Sequence, residues 1–389
     1  TAVVAVSFTA CGGRSEHAKK LNIDTAVSIN IWYQDDAYTS YLDYIAQQFH
    51  KANEFITVNP VKVEENNLLD AVYNGSIAQN NVADVYLMEA SDMQRAYLMG
   101  LTAENDAYTQ YYSQKHFPVT AVNAACYEGK LYGYPVTFHT AVMVYNKKYT
   151  TAPENFEQIE AFLNSYQVTD ENKDVNMIVG WDTQDLWTNY AFGGSYVDNG
   201  GAQGEDAESD VQTEALKAYA ALQNTFGIVD KTQEEYKQMF INNQLIYTIL
   251  DSTQLADLNA CGVDYGICAV PGAKTGFGTQ SLSDTTLAMV NPYSENTDTA
   301  KAVAQAISYD YADLLEKDTG YISARTDVAD KNKKVLYQPL YEVYAQSDSY
   351  AKYIGADEFY VRYSILLHNI WKGEDLNESV DAFIKAVSR

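Results

Sequence analysis

The sequence predicts an α/β fold made of two lobes. After residue 25, short apolar runs alternate with helical patterns in the order β-α-β-α-β-α, which is typical of a sheet with helices on its faces. Residues 131–145 are almost wholly β-prone, contain Pro135 and are too long for one strand in one sheet. No low-complexity linker divides the chain. We therefore expect two lobes joined by several crossings, one of them within residues 131–145.

Hydrophobic periodicity and turn residues predict the individual elements. Pro60 interrupts the second strand and therefore predicts that this strand lies at a sheet edge or a bend. Ligands bind at the carboxyl ends of strands in such sheets, so we expect the loops 33–36 and 89–92 to face a ligand. The predicted strands cover residues 27–32, 56–63, 83–88 and 245–250, and the predicted helices cover 41–49, 68–77, 91–100, 300–309 and 376–387.

The composition is that of a globular protein with a strong negative charge. The 389 residues are 47% hydrophobic and 20% charged, which is enough for two or three compact units with real cores. The 52 Asp and Glu exceed the 26 Lys and Arg, which gives a net charge of −26. Because that charge repels phosphate backbones and anionic lipids, we expect neither nucleic-acid binding nor a polybasic contact with a membrane.

Tyrosine is unusually frequent, with 33 residues against 13 phenylalanines and 4 tryptophans. A tyrosine combines a flat apolar face with a hydroxyl group, which suits a surface that meets polyhydroxylated ligands and water together. A compositional bias of the source organism would explain the same count, so both interpretations stay open.

The first ten residues, TAVVAVSFTA, are apolar and small and precede Cys11. No stretch reaches the roughly 18 apolar residues that a membrane-spanning helix needs, and the segment is typical of the end of a signal peptide. Residues 8–11 (FTAC) resemble the bacterial lipobox, in which small residues precede a cysteine that becomes lipidated. We therefore expect Cys11 to carry a lipid and residues 14–25 to be a polar tether. An ordinary buried cysteine is the alternative.

Three other cysteines support no metal site. Cys261 and Cys268 could close a small loop disulfide and leave Cys126 unpaired, or all three could be buried reduced thiols. The five histidines are scattered and the cysteine spacings are not those of zinc ligands, so we expect no metal. No phosphate-binding loop or dinucleotide fingerprint occurs, and we expect no cofactor.

Several segments, taken in order, resemble the extracellular solute-binding proteins of ABC importers, and within these the maltodextrin-binding branch. Together they span roughly residues 27–389 in the order of that family. The segments are INIWYQDDAY (29–38), ADVYLMEASDMQRAYLMGLTAE (83–104), YEGKLYGYPVTFHTAVMVYNKK (127–148), WDTQDLWTNYAFGGSYV (181–197), and the group MFINNQLIYTILDSTQL (239–255), VDYGICAVPG (263–272) and LAMVNPYSENTDTAKAVAQAIS (287–308).

The resemblance implies a periplasmic-binding-protein-like fold of the class II type, with two α/β lobes, three hinge crossings and the ligand in the cleft between the lobes. Such lobes close around ligand by hinge bending. The implied division is a residual signal peptide at 1–10, an anchor cysteine and tether at 11–24, lobe one at 25–137 plus 278–325, and lobe two at 138–277 plus 326–389.

The resemblance also implies site residues that suit a sugar, because aromatic rings pack on its C–H face while carboxylates and amides bond its hydroxyls. Gln34 and Asp36 match sugar contacts of the family, with Tyr33 beside them. Glu89 and Asp92 are candidates in the next loop. For these acids the alternatives are a helix cap at Asp36 and a solvated loop at the other two.

Further along the chain, His139 falls where the family often carries a glutamate that faces the cleft, and a structural histidine is the alternative. Asp185 and Trp187 match the carboxylate and ring that the second lobe contributes, with core packing as the alternative for the indole. Asp251 follows the strand 245–250, and Tyr360 resembles a last stacking ring. Met88 and Thr253 stand where relatives carry tryptophans.

The implied function is capture of a carbohydrate, an oligosaccharide of the maltodextrin kind, and its delivery to an ABC permease by a monomer. The protein would be lipid-anchored outside the cytoplasmic membrane, either extracellular or periplasmic, and would perform no chemistry. A glycoside hydrolase needs two carboxylates, one kept protonated by burial, but 52 acidic residues offer such pairs in any case. A surface adhesin predicts repeats or stalks, and the sequence contains none.

Overall fold

The computed structural model describes residues 20–64, 67–79, 82–193, 213–328 and 334–387. Cys11 and the acidic stretch 198–210 lie outside the described residues. The strands are β1 (Val27–Tyr33), β2 (Ile56–Lys62), β3 (Val85–Glu89), β4 (Cys126–Tyr127), β5 (Lys130–Leu131), β6 (Tyr134–Asn146), β7 (Met177–Val179), β8 (Leu245–Asp251), β9 (Tyr265–Cys268), β10 (Leu282–Val290) and β11 (Asp348–Ser349).

The helices surround these strands, and within the described ranges none has both the length and the apolar character to span a bilayer. They are α1 (Thr39–Ala52), α2 (Leu68–Ala78), α3 (Met93–Leu98), α4 (Val119–Ala124), α5 (Phe156–Ser165), α6 (Leu186–Asn189), α7 (Thr213–Phe226), α8 (Gln233–Ile241), α9 (Leu255–Cys261), α10 (Thr297–Gln305), α11 (Leu315–Thr319), α12 (Lys334–Gln346), α13 (Ala356–Trp371) and α14 (Leu376–Val387).

The first half of the sheet has the strand order β2-β1-β3-β10-β6. β1 runs parallel to β2 and β3, and β10 runs antiparallel to β3 and β6. The edge position of β2 confirms the prediction from Pro60, which lies opposite Ile31 and has no N–H group to donate to a further strand. The alternation of β1 buries Ile29, Ile31 and Tyr33 in the main core and Trp32 in a smaller core on the other face.

Strand β6 is shared between two sets of strands, as the long β-prone run at residues 131–145 predicted. Its first part, Tyr134 to Thr140, pairs with β10, and its last part, Ala141 to Asn146, pairs with β8 and β9. The register against β10 shifts between Thr286 and Leu287, opposite Pro135. Such an irregularity bends a strand, and it lies close to the point where β6 passes from one set of strands to the other.

Some predicted elements differ in detail from the observed ones. The predicted helix 91–100 begins as a 3₁₀ turn, Ala90–Asp92, and continues as α3. The predicted helix 300–309 consists of α10 followed by a π-helix, Ala306–Asp310. The last helix, α14, has the predicted bounds. Cys126, Cys261 and Cys268 are free thiols, so the disulfide alternative is not realised in this structure.

Candidate ligand-binding cleft

A cavity of about 640 Å³ lies where strands from both parts of the sheet end. Gln34 and Asp35 follow β1, Glu89 ends β3 and Asp251 ends β8, so these lining residues lie at strand ends, where ligands bind in such sheets. The lining also includes Tyr38, Asn67, Leu68, Leu69, Leu87, Met88, Asp92, Arg95, Thr137, Phe138, His139, Trp187, Gln233, Thr253, Gln254, Thr286 and Tyr321.

His139 and Asp251 form an ion pair at the centre of this lining. The Nδ1 atom of His139 lies 2.9 Å from Oδ2 of Asp251. Burial alone would lower the pKa of His139, but the charge and hydrogen bond of Asp251, with the charges of Glu89 and Asp284, raise it to about 9. Burial alone would raise the pKa of Asp251, but His139 holds it below its ordinary value. The pair is therefore charged at neutral pH and connects β6 to the end of β8.

Glu89 is the second buried carboxyl group of the cavity. Its Oε1 atom accepts a hydrogen bond of 2.9 Å from the hydroxyl of Thr286, which in turn accepts one of 3.3 Å from the hydroxyl of Tyr38. Its Oε2 atom is buried and has no hydrogen-bond partner among the described residues. Burial and then the charge of Asp284 raise the pKa of Glu89 to about 7. Glu89 thus lines the cavity with one carboxyl oxygen that no described residue hydrogen-bonds.

Trp187 is the largest aromatic side chain in the lining of the cavity. Its ring centroid lies 4.4 Å from that of His139 at an interplanar angle of 56°, and 5.8 Å from that of Tyr350 at 27°. Tyr350 packs in turn on Tyr360, with centroids 4.1 Å apart. The other tryptophans are buried in the cores, so Trp187 is the tryptophan that meets the cavity. Its neighbours hold the indole in one orientation.

Gln233 hydrogen-bonds with two of the predicted acidic residues, Asp185 and Asp251. It is the first residue of α8, which begins with a capping box between Thr232 and Glu235. Its Oε1 atom accepts from the backbone N–H of Asp251 at 3.0 Å, and its Nε2 atom donates to Asp185 at 2.8 Å. The cap of α8 thus positions a side chain that lines the cavity.

The structure brings six of the predicted site residues together in the lining of the cavity. They come from five separate stretches of the chain, two before β6, one within it and two beyond it. They are Gln34, Glu89, Asp92, His139, Trp187 and Asp251.

The structure places the side chains of four other predicted site residues outside the lining. Tyr33 is buried in the main core, and its hydroxyl donates to Thr39. Asp36 is exposed and forms an ion pair of 2.8 Å with Lys62. Asp185 caps α6 by accepting from the N–H of Thr188 and bonds Gln233. Tyr360 is buried, and its hydroxyl accepts from the N–H of Ala351.

In the loop after β1, Asp35 rather than Asp36 contributes to the cavity. Asp35 is the N-cap of the 3₁₀ turn Asp36–Tyr38, accepts from the N–H of Ala37 and accepts from the hydroxyl of Tyr321 at 2.7 Å. The sequence reasoning also missed lining residues whose side chains carry hydroxyl or amide groups. These are Tyr38, Asn67, Thr137, Gln233, Gln254, Thr286 and Tyr321, and only their position beside predicted strand ends could have indicated some of them.

The lining combines hydrogen-bonding groups with one indole, an arrangement suited to a polar organic ligand. Carboxylates and amides accept and donate at fixed directions, and the indole offers apolar surface. Within the described ranges, no group of three or more His, Cys, Asp and Glu side chains is arranged to hold a metal ion.

Comparison with known proteins gives consistent relatives. The maltodextrin-binding protein MdxE of Bacillus subtilis (strain 168) is 22% identical over 298 residues, which cover 71% of this chain and 68% of MdxE. A cyclo/maltodextrin-binding protein complexed with maltotetraose has a similar structure, with a TM-score of 0.76 at 15% identity over 94% of this chain and 98% of that one. The extracellular solute-binding protein of Staphylococcus aureus in complex with maltose also gives a TM-score of 0.76, at 19% identity and with the same coverage.

These structures establish the two-lobed fold that the sequence predicted. The family description of bacterial extracellular solute-binding proteins matches residues 44–341, which is well over half of the chain. The chain therefore belongs to the bacterial extracellular solute-binding protein family.

Proposed function

We propose that this protein captures a carbohydrate, an oligosaccharide of the maltodextrin kind, in the cleft and delivers it unaltered to an ABC permease. The observation that supports the proposal most directly is the lining itself, in which the indole of Trp187 lies among carboxylate and amide groups. Relatives that carry a maltodextrin-binding name or hold maltose or maltotetraose point to the same ligand class.

The physical chemistry of the cavity fits such a ligand. A sugar ring has an apolar C–H face, which packs against an aromatic surface, and a rim of hydroxyl groups, which donate to carboxylates. A hydrogen bond to an ionised acceptor such as Asp35 or Asp92 is stronger than one between neutral groups. A volume of about 640 Å³ falls within the range of small-molecule sites and accommodates several sugar units.

The proposal includes the two lobes predicted from the sequence, 25–137 plus 278–325 and 138–277 plus 326–389. In this division, β6 crosses from lobe one to lobe two at residues 137–138. Two contacts lie just after the crossing: His139 forms the ion pair with Asp251, and the N–H of Thr140 donates to the hydroxyl of Ser252. Closure by bending near this point would exclude water from the cleft and strengthen its hydrogen bonds.

A thermal-shift screen over maltose, maltodextrins, xylo-oligosaccharides and manno-oligosaccharides tests this function. A ligand that binds only the folded state stabilises it by about 2.7 kcal/mol at a concentration of 100 Kd, so we expect a clear rise in melting temperature for at least one oligosaccharide. The same ligand should be recovered intact after hours of incubation. Release of reducing ends, or the absence of a shift with every saccharide, would contradict the proposal.

The proposal also places a lipid on Cys11, which would hold a monomeric protein at the outer face of the cytoplasmic membrane. Two acyl chains on one residue anchor a protein stably in a membrane, whereas the same polypeptide without lipid stays in water. We expect Cys11→Ala to move the protein, expressed with its own signal peptide, from the membrane fraction to the soluble fraction. Cys126→Ala is the matched control and should stay in the membrane fraction. Equal partitioning of both variants would rule out the anchor.

A further inference from the structure

Carboxylates outnumber cations in the lining of the cleft. Among the described residues, the lining contains four acids and two basic side chains, Arg95 and His139. Arg95 donates to Asp70 at 2.9 Å, and His139 is paired with Asp251. Both cations are therefore already engaged, and the remaining acids give the cavity a negative potential that a ligand meets.

Glu89 is the lining acid that has other acids close to it and an unpartnered oxygen atom. Within the part of the chain that the structure describes, its buried Oε2 atom has no hydrogen-bond partner and no cation lies within salt-bridge distance of the carboxyl group. Its Oε1 atom accepts from Thr286. The charges that act on it are those of Asp284 on β10 and Asp92 after β3, both of the same sign, and of His139 on β6, whose charge Asp251 already balances. Among the described residues, the buried Oε2 atom therefore lacks a donor, and the carboxyl group has no cation of its own in an ion pair.

A protonated amine would supply both. An ammonium group is compact, carries a full positive charge and has three N–H donors, and a cleft lined by charges of one sign concentrates ligands of the other sign. A neutral hydroxyl would satisfy the acceptor but would supply no positive charge to the ionised form of Glu89. We propose that the ligand of the cleft carries a protonated amino group that binds to Glu89. The inference rests on the proposed capture of an oligosaccharide and narrows that ligand to one in which an amino sugar takes the place of a glucose unit.

Calorimetric titration of the full chain at pH 7 and 150 mM salt tests this with matched ligands. The trimer of glucosamine has free amines, its N-acetylated trimer has the same backbone without charge, and maltotriose is a neutral sugar of the same length. We expect the glucosamine trimer to bind at least tenfold more tightly than either neutral trimer. Equal or weaker binding of the glucosamine trimer would overturn the inference.

Glu89→Gln keeps the shape of the side chain and removes its charge, and it should reduce the preference for the amine to less than threefold. Asp43→Asn is the matched control, because Asp43 is exposed on α1, outside the cavity, and carries the same charge. It should keep the full preference. Burial disfavours the charged form of Glu89, so Glu89→Gln should melt no lower than the unmodified protein at pH 8. Full preference in Glu89→Gln would exclude Glu89 as the amine site.

The titrations also separate this inference from the proposed function. If the neutral trimers bind and the glucosamine trimer has no advantage, only the amine inference fails. If none of the three saccharides binds, the proposed function fails as well. Spermidine serves as an amine without a sugar. Binding of spermidine as tight as that of the glucosamine trimer would overturn the assignment to an amino sugar, and weaker binding supports it.

Discussion

Replacement of Trp187 with alanine should weaken binding of the tightest-binding trisaccharide at least thirtyfold and leave the fold intact. Central aromatic residues commonly contribute 2 kcal/mol or more to a binding site, which corresponds to about thirtyfold in Kd. Trp187 is the tryptophan that meets the cavity, and the rings of His139 and Tyr350 both pack against it. Calorimetric titration gives the affinity, and circular dichroism checks the fold.

The same residue should dominate the fluorescence response to ligand. Trp32, Trp181 and Trp371 are buried in the cores, so their emission should change little when a ligand enters. We expect Trp187→Phe to abolish most of the change in tryptophan emission while it retains part of the affinity, because a phenyl ring still offers an apolar face. Tyr293→Ala is a suitable control, since Tyr293 is an exposed aromatic residue outside the lining. Wild-type affinity in Trp187→Ala would show that the indole does not contribute to ligand binding.

The strand ends of this fold are predictable from sequence, but the side chains that meet there are less so. Alternation in VSINIW and the proline in the second strand correctly indicate β1 and the edge position of β2. The same alternation, extended by one residue, buries Tyr33 beside Ile31 and Ile29, which is why this ring lies in the core and not in the cavity. For Tyr33, strand periodicity therefore indicates burial in the core, which the match to family positions does not.

The loop after β1 shows where local patterns stop being informative. Two adjacent aspartates follow the strand, and only the 3₁₀ turn decides that Asp35 caps it and lines the cavity while Asp36 turns to Lys62. Thr286 and Tyr321 are more than 200 residues from this loop in sequence, and strand pairing and loop packing bring them to the same cavity. No local pattern in the chain encodes such a convergence.

Removal of the carboxylate of Asp251 should be the most destabilising single change in the cleft. The pKa of His139 rises from its ordinary value of 6.5 to about 9 in the folded protein, mainly because Asp251 outweighs the effect of burial. A rise of that size corresponds to roughly 3 kcal/mol of stability, which is also typical of breaking a buried ion pair. We therefore expect Asp251→Ala to lower the free energy of unfolding by about 3 kcal/mol at pH 6.

The loss should depend on pH in a defined direction. A group whose pKa is raised by folding contributes its full stability below its unfolded value, here pH 6.5, and loses it as the pH rises through about 9. At pH 9.5 the difference between Asp251→Ala and the unmodified protein should therefore shrink to about 1 kcal/mol, the contribution of the hydrogen bonds from Thr253 to Asp251. Urea unfolding at both pH values measures this.

Glu104→Ala, which breaks the exposed pair with Lys130, should cost less than about 1 kcal/mol at either pH. A loss in Asp251→Ala that is equal at pH 6 and pH 9.5 would mean that the carboxylate stabilises the cleft through packing and hydrogen bonds and not through the charge of His139.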